Sequence, residues 1–537
     1  METLTITNLG GPLTRKRTGD INSGLSRFET SWGYDPYSKP GNLTWMEQPA
    51  SILTLTGSNG PVVAMKQRSE SLSTLGDNYV FTISRDRILR KIQSEAAGNA
   101  YTDSPSVIGS FISSGGDNQF SRGVGMEFYN NKIWAGFSNE VQNIDFDGAN
   151  IASVLAGTQN TPRPLATFLG KLYFGNGNNI GEIDTTNAVV TGAKLSPGLP
   201  NGILVHDLEV TPDGNYLQLT ATRGELANDP QGERQPGVSF SESFKFLWNG
   251  VDGGVTAIET HGGTRLTASE VIGDTNYSFG YDQQGLAILQ GKKKILTIPN
   301  ALPPFTQATF STSNMLGFVT TEYVPDVDGY RGAIYNYGQY DDETQSGLFR
   351  LLRINAVTSG SDVVMAPAAK YVSNLTYNQS YRPIGPQTGS VASAAKMYFS
   401  VNEASALGVP VGPHRLMRFN TVPLGLGSIV AGSYETQTQM FSKKVKIPEV
   451  RIYTEPLVGG NDFIVDLIGS GGSVMAGGSQ RFRVATGSVA TGTDMVHFNP
   501  QIAPTYALGV RITNSSVTGV ANWTANKIEV DYSEAGR

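Results

Sequence analysis

Asn131-Lys132-Ile133-Trp134-Ala135-Gly136 is followed, 39 residues on, by Gly170-Lys171-Leu172-Tyr173-Phe174-Gly175. The offset persists downstream: Asn139 answers to Asn178, and Ile144-Asp145 to Ile183-Asp184. Each copy is a lysine leading an apolar, aromatic run, then a loop, then a second short strand that ends in Ile-Asp. A repeat of about 40 residues built from short strands is the sequence mark of a β-propeller blade. A third copy, Lys396-Met397-Tyr398-Phe399, lies far downstream, with Leu416-Met417-Arg418-Phe419-Asn420 as its expected outer strand. Trp134, Tyr173 and Tyr398 hold equivalent positions. Matched aromatics in a repeat are expected in the core between blades rather than on a ligand platform.

Working outward from the repeats, strands are expected from Tyr79-Val80-Phe81-Thr82-Ile83 onward, a β-branched and aromatic run able to pair with Ile88-Leu89-Arg90-Lys91-Ile92. Thr211-Pro212-Asp213-Gly214 reads as a tight turn feeding an alternating strand. Helical periodicity is nearly absent. The units between 76 and 438 amount to six or seven blades, with spacing that drifts as loops lengthen. From 439 to 537 the texture changes. Val445, Ile447, Val450 and Ile452, then Phe463, Val465 and Leu467, then Leu508, Val510 and Ile512, then Ile528, Val530 and Tyr532 alternate between Gly-rich turns, without the repeat period. That pattern predicts a separate β-sandwich. Residues 1–75 read as an extended arm: Arg15-Lys16-Arg17 as a solvated turn or weak basic contact, Trp32, Tyr34 and Trp45 as surface anchors. The expected fold is all-β: a propeller with an N-terminal arm and a C-terminal sandwich.

Composition agrees with many short strands and turns. Charged residues make up 16 % of the 537, below the usual share of about 25 %. Gly numbers 63, and Gly and Asn supply the positive φ that hairpin turns need. The hydrophobic share of 39 % supplies a core. A net charge of −6 makes a general nucleic-acid binder a poor expectation, because the phosphate backbone demands a basic footprint. Cysteine is absent, so disulfides and thiolate metal sites are excluded. No signal peptide is read at Met1-Glu2-Thr3-Leu4-Thr5-Ile6, and no membrane insertion is expected.

Asp326-Val327-Asp328-Gly329, with Asp341-Asp342-Glu343 nearby, carries the oxygen donors calcium favours but lacks the rest of a calcium loop, and a plain turn is expected. His206, His261, His414 and His497 are isolated in sequence. There is no Gly-x-Ser-x-Gly elbow, no phosphate-cradling glycine loop and no aspartate-box repeat. Lys292-Lys293-Lys294 sits between two apolar strands and reads as a hairpin turn. Neither a cofactor nor an enzymatic activity is expected.

The arm with Gly10-Gly11-Pro12 and Trp32-Gly33-Tyr34-Asp35-Pro36, the Lys-Ile-Trp and Lys-Leu-Tyr blades and the Gly/Ser/Thr-rich closing sandwich resemble, in order and texture, the propeller-bearing virion structural proteins of tailed bacteriophages, the tail nozzle (tail tubular) type. That resemblance implies a homo-oligomeric ring in the virion, made in the host cytoplasm, contacting other virion proteins and, transiently, genome DNA in a channel. Arg15, Lys16, Arg17, Trp32, Tyr34 and Trp45 would belong to its docking arm. Two other readings are open: a tail tip or fibre protein that binds a receptor or host surface glycan, and a carbohydrate-active enzyme on a propeller scaffold.

Overall fold

In each copy of the repeat, the Lys-led run is the second strand of a four-stranded antiparallel sheet. The first such sheet runs Gly125–Tyr129, Lys132–Phe137, Glu140–Asp145, Ala152–Leu155, and the next Leu165–Phe168, Lys171–Asn176, Asn179–Ile183, Val189–Thr191. The residue before each lysine is chosen by its turn. Asn130 and Asn131 have φ of 48° and 57°, and Leu169 and Gly170 have 48° and 73°. Two successive positive φ values suit the two-residue hairpin whose twist matches the strands, which favours Asn and Gly there. The Ile-Asp ending has two roles. Ile144 and Ile183 are fully buried, while the Asp184 carboxylate accepts the Thr186 and Ala188 amides at 2.8 and 3.2 Å, folding the chain toward the outer strand.

The computed structural model describes the backbone outside 10–27, 36–41, 46–49, 56–61, 70–77, 96–104, 113–124, 156–160, 224–242, 303–317, 341–347, 373–376, 385–395, 405–409, 421–432, 485–488, 515–522 and a few single or paired positions; for 295–432 it describes backbone alone. All regular structure among the described residues is strand. The two repeat sheets are blades 2 and 3 of a seven-bladed propeller. Blade 1 comprises Val62–Ser69, Asn78–Ser84, Ile88–Glu95 and Pro105–Ser110; blade 4, Ile203–Val210, Leu217–Arg223, Ser243–Trp248 and Ala257–His261; blade 5, Arg265–Ile272, Thr275–Asp282, Gly285–Gln290 and Lys293–Pro299. Blade 6 comprises Phe318–Asp326, Gly329–Tyr340, Leu348–Ser359 and Asp362–Val372. The first strands of successive blades lie side by side in a closed circuit, the seventh returning to the first.

Blade 7 closes the ring. Its strands Tyr377–Ile384, Lys396–Ala404 and Pro410–Asn420 are completed by Ala50–Leu55, with Leu55 opposite His414 and Ala50 opposite Arg418. The run Leu416–Asn420, expected outermost, is therefore the third strand of four, and the fourth comes from the N-terminal segment. The boundary expected at 76 falls inside blade 1, whose first strand is Val62–Ser69. The physical reason is that an open blade edge presents unpaired N–H and C=O groups, and a strand from the far end of the chain satisfies them.

Apolar seams join the first four blades. Phe81, Ile83 and Leu89 meet Phe137 and Ile144 between blades 1 and 2. A buried Arg87–Glu140 ion pair sits in the same seam, its guanidinium 4.0 Å from the centre of the Phe137 ring. Tyr129, Trp134 and Val141 meet Leu165, Leu172 and Phe174 between blades 2 and 3. Phe168 and Tyr173 meet Leu219 and Trp248 between blades 3 and 4.

The alternating C-terminal segment builds two facing sheets. One carries Glu2–Ile6, Ala525–Glu534, Gln439–Thr454 and Met495–Phe498; the other carries Val474–Arg483, Asp462–Ile468, Thr505–Asn514 and Ser433–Thr436. The long strand Gln439–Thr454 also pairs with Thr505–Asn514 at its start, so it passes between the two. The alternation is the inward face: Val450, Ile452, Phe463, Val465, Leu508, Val510, Ile528 and Val530 form one core, with Phe463 stacked on Trp523 at 4.5 Å.

The described segments of residues 1–75 are woven into this framework. Ile6, Leu9 and Leu43 are buried in the sandwich core. The Tyr434 hydroxyl donates to the Leu9 carbonyl at 2.9 Å, and Leu43 and Ala525 exchange backbone hydrogen bonds. Phe28–Trp32 pairs antiparallel with Ser433–Thr436 and meets blade 6 through Trp32 opposite Lys370. Strand pairing thus runs unbroken from Glu2–Ile6 through the sandwich into the propeller, as one 14-stranded sheet.

Candidate functional site

Of the arm residues, Trp32 lies on Phe28–Trp32, and Tyr34 pairs with Trp45 in a small two-stranded sheet; these backbones are committed to partners within the chain. Arg15, Lys16 and Arg17 lie outside the described residues. Asp326 faces Gly329 across a hairpin, and Asp328, like Asp341-Asp342-Glu343, lies outside the described residues. Among the described residues no group of three or more histidines and carboxylates is placed to hold a metal ion, and no helix is long and apolar enough to cross a membrane.

Trp134 and Tyr173 are packing groups. Trp134 is fully buried and donates its indole N–H to the Tyr129 carbonyl at 3.1 Å; the Tyr129 hydroxyl in turn reaches the Gly170 carbonyl of blade 3 at 3.1 Å. Tyr173 packs edge-on against Trp248 at 5.2 Å. Tyr398 occupies the equivalent second strand of blade 7. Arg163, on the link between blades 2 and 3, is buried; its guanidinium donates to the Gly175 carbonyl at 3.0 Å and the Asn176 side chain at 2.8 Å, and burial lowers its pKa to about 10.

On the sandwich, a charged network lies on the sheet that carries the N-terminal strand. Arg451 grips Asp531 with two hydrogen bonds of 2.8 and 3.0 Å and reaches Glu529 at 3.1 Å. Thr3 donates its hydroxyl to Asp531 at 2.7 Å, tying the first strand to that network. The Thr3 and Arg451 hydrogen bonds hold the Asp531 carboxyl below the usual range, and Lys527, Tyr453 and Arg451 do the same for Glu529.

The seam between blades 4 and 5 differs from the three before it: its contacts among the described residues are polar. Gln218 donates to Ser269 at 2.9 Å, Thr220 and Ser269 lie 3.1 Å apart, and the Ser269 amide donates to Asp207 at 2.8 Å. Ser243 accepts the Leu266 amide at 3.0 Å. His206, isolated in sequence, meets Thr222 at 2.9 Å, and Thr222 meets Ser243 at 3.3 Å. Ser243 is opposite His261 in register, and Lys245 is opposite Glu259. The fold therefore brings two of the four histidines into one sheet. His497 is surface-exposed on the sandwich, 3.1 Å from Glu449, and His414 pairs through its backbone with Leu55.

Lys245, missed on sequence, is 4 % exposed, and burial lowers its pKa to about 8 against the opposing pull of Glu259. Of Lys292-Lys293-Lys294, expected as a hairpin turn, only Lys292 is in it, beside Gly291 at φ 56°; Lys293 and Lys294 begin the strand Lys293–Pro299 and pair with Gln290 and Leu289. No spacing rule could have linked Lys245, His261 and Lys292, because cross-strand register and the packing of the next blade bring them together.

No family model matches the chain and no curated protein is similar to it. Among solved structures, the N-terminal domain of Nup159 is similar at 10% identity and a TM-score of 0.35, covering 68% of this chain and 97% of that one. The Dos1 propeller is similar at 9% identity and a TM-score of 0.32, covering 63% and 75%. BBS1N, solved in complex with ARL6DN, is similar at 9% identity and a TM-score of 0.37, covering 71% and 98%. These likenesses accompany the β-propeller fold and carry no argument on function.

Proposed function

We propose that the chain is a non-enzymatic structural component of a bacteriophage particle, a nozzle-like tail protein that assembles with copies of itself and contacts other virion proteins. The observation that supports this reading is the pairing of three N-terminal strands with sheets formed hundreds of residues later: Glu2–Ile6 on Ala525–Glu534, Phe28–Trp32 on Ser433–Thr436, Ala50–Leu55 on Pro410–Asn420. Such pairing makes propeller and sandwich mechanically continuous, which suits a part that carries load rather than one that opens to admit a substrate. The phage assignment itself comes from the resemblance in layout, and DNA passing through a ring of such subunits is part of the same proposal.

Native mass spectrometry and electron microscopy of the purified chain test it together. A closed homo-oligomeric ring, or incorporation of the tagged chain into tailed particles, is the expected result. A chain that stays monomeric at its solubility limit and hydrolyses a polysaccharide would refute the reading.

A further inference from the structure

The outer half of the seam between blades 4 and 5 gathers positive charge that the hydrogen-bond network does not use. Lys245 is 4 % exposed, yet among the described residues it makes no hydrogen bond or contact ion pair. It shares the face of Ser243, two residues away, whose hydroxyl meets the first strand of blade 5, so its side chain is directed toward that blade. His261, on the outermost strand, is buried, and its Nε2 has no hydrogen-bond partner; the Glu259 carboxylate stands 3.7 Å off. Burial first, then Lys245 and more weakly Lys292, exposed on the Gly291 turn of blade 5, oppose His261 protonation against the pull of Glu259.

An ammonium taken out of water without a counter-charge is costly, as is a buried ring nitrogen without a partner. Glu259 offsets only part of this: its side chain is 33 % exposed and the site also holds two lysines. A single oxyanion seated among them would accept hydrogen bonds from Lys245 Nζ and His261 Nε2–H at once, and charge-assisted bonds of this type are the strong ones. We propose that Lys245, His261 and Lys292 form a binding site for a small oxyanion of the phosphate class. The site stands whatever assembly the chain belongs to.

Inorganic phosphate is the probe, titrated into the full chain by calorimetry and ³¹P NMR at neutral pH, with chloride holding ionic strength constant. The expected result is saturable binding with one site per chain, lost in Lys245→Met. Lys292 and Glu259 are exposed or half-exposed, so their variants report without disturbing folding. Lys292→Ala should weaken binding about threefold, and Glu259→Gln, which removes the competing carboxylate, should tighten it about fivefold. No saturable binding in the native chain, or affinity unchanged in all three variants, overturns the proposal. So does weaker binding in Glu259→Gln, which would make Glu259 the counter-ion that already fills the site.

Discussion

Replacing Trp134 with Ala tests whether the repeat encodes packing or a binding surface. The indole is fully buried between blades 2 and 3, against Val141, Leu165, Leu172 and Phe174. Truncating an enclosed aromatic to Ala costs about 3–5 kcal/mol. Loss of the indole N–H leaves the Tyr129 carbonyl without that donor, about 1 kcal/mol more. The total, roughly 4–6 kcal/mol, is a large part of the net stability of an ordinary domain. Hydrogen exchange by mass spectrometry localises the effect. Amides of Lys132–Phe137 and Lys171–Asn176 should exchange about 10³-fold faster or more, since each 1.4 kcal/mol is a factor of ten. Amides of Thr505–Asn514 and Ala525–Glu534, in the separate sandwich core, should keep their protection. Tyr173→Ala should act likewise on blades 3 and 4, through Trp248. If exchange in blades 2 and 3 rises by no more than about twofold, the scale of an ordinary surface substitution, the seam reading is refuted.

Three further outcomes are expected. Gly136→Ala would place a Cβ 2.3 Å from the Arg163 carbonyl oxygen, whose residue is anchored through its guanidinium, so thermal unfolding should show a loss of about 1–3 kcal/mol, while Gly262→Ala, with open space around it, should be near neutral. Asp531 and Glu529 have depressed folded-state pKa values, so their stabilisation is present above the unfolded carboxylate values near 4 and is lost as pH falls through the folded ones. The melting temperature of the sandwich should drop below about pH 4, and Asp531→Asn should flatten that slope. Lys245, lowered to about 8, binds its proton more weakly folded than unfolded, so stability should rise by roughly 3 kcal/mol between about pH 8 and pH 10.5, and denaturant titrations of Lys245→Met should lack that rise.

Much of the architecture is legible along the chain because it is local. A blade hairpin closes over a few residues, so Asn130-Asn131 and Leu169-Gly170 mark its turn, Trp134 and Ile144 its buried face, and Asp184 its exit, all within one repeat. The alternation from Val445 to Tyr532 likewise names the inner face of the sandwich before any partner strand is known. The repeat and its pattern determined, unaided, that the chain is all-β, that a propeller precedes a sandwich, and that Trp134 and Tyr173 are core.

Which distant segments meet was decided only by the tertiary structure. Ala50–Leu55 has no pattern that assigns it to Pro410–Asn420, and Glu2–Ile6 none that assigns it to Ala525–Glu534; each goes where a sheet edge would otherwise leave backbone groups unpaired. An N-terminal segment that reads as an arm thus becomes the strand that closes the ring and the edge of the sandwich. The convergence of Lys245, His261 and Lys292 follows the same logic, since cross-strand register sets the first two beside Glu259 and a neighbouring blade supplies the third. Backbone pairing across hundreds of residues is specified by which edges remain open, and that information exists only once the blades have formed.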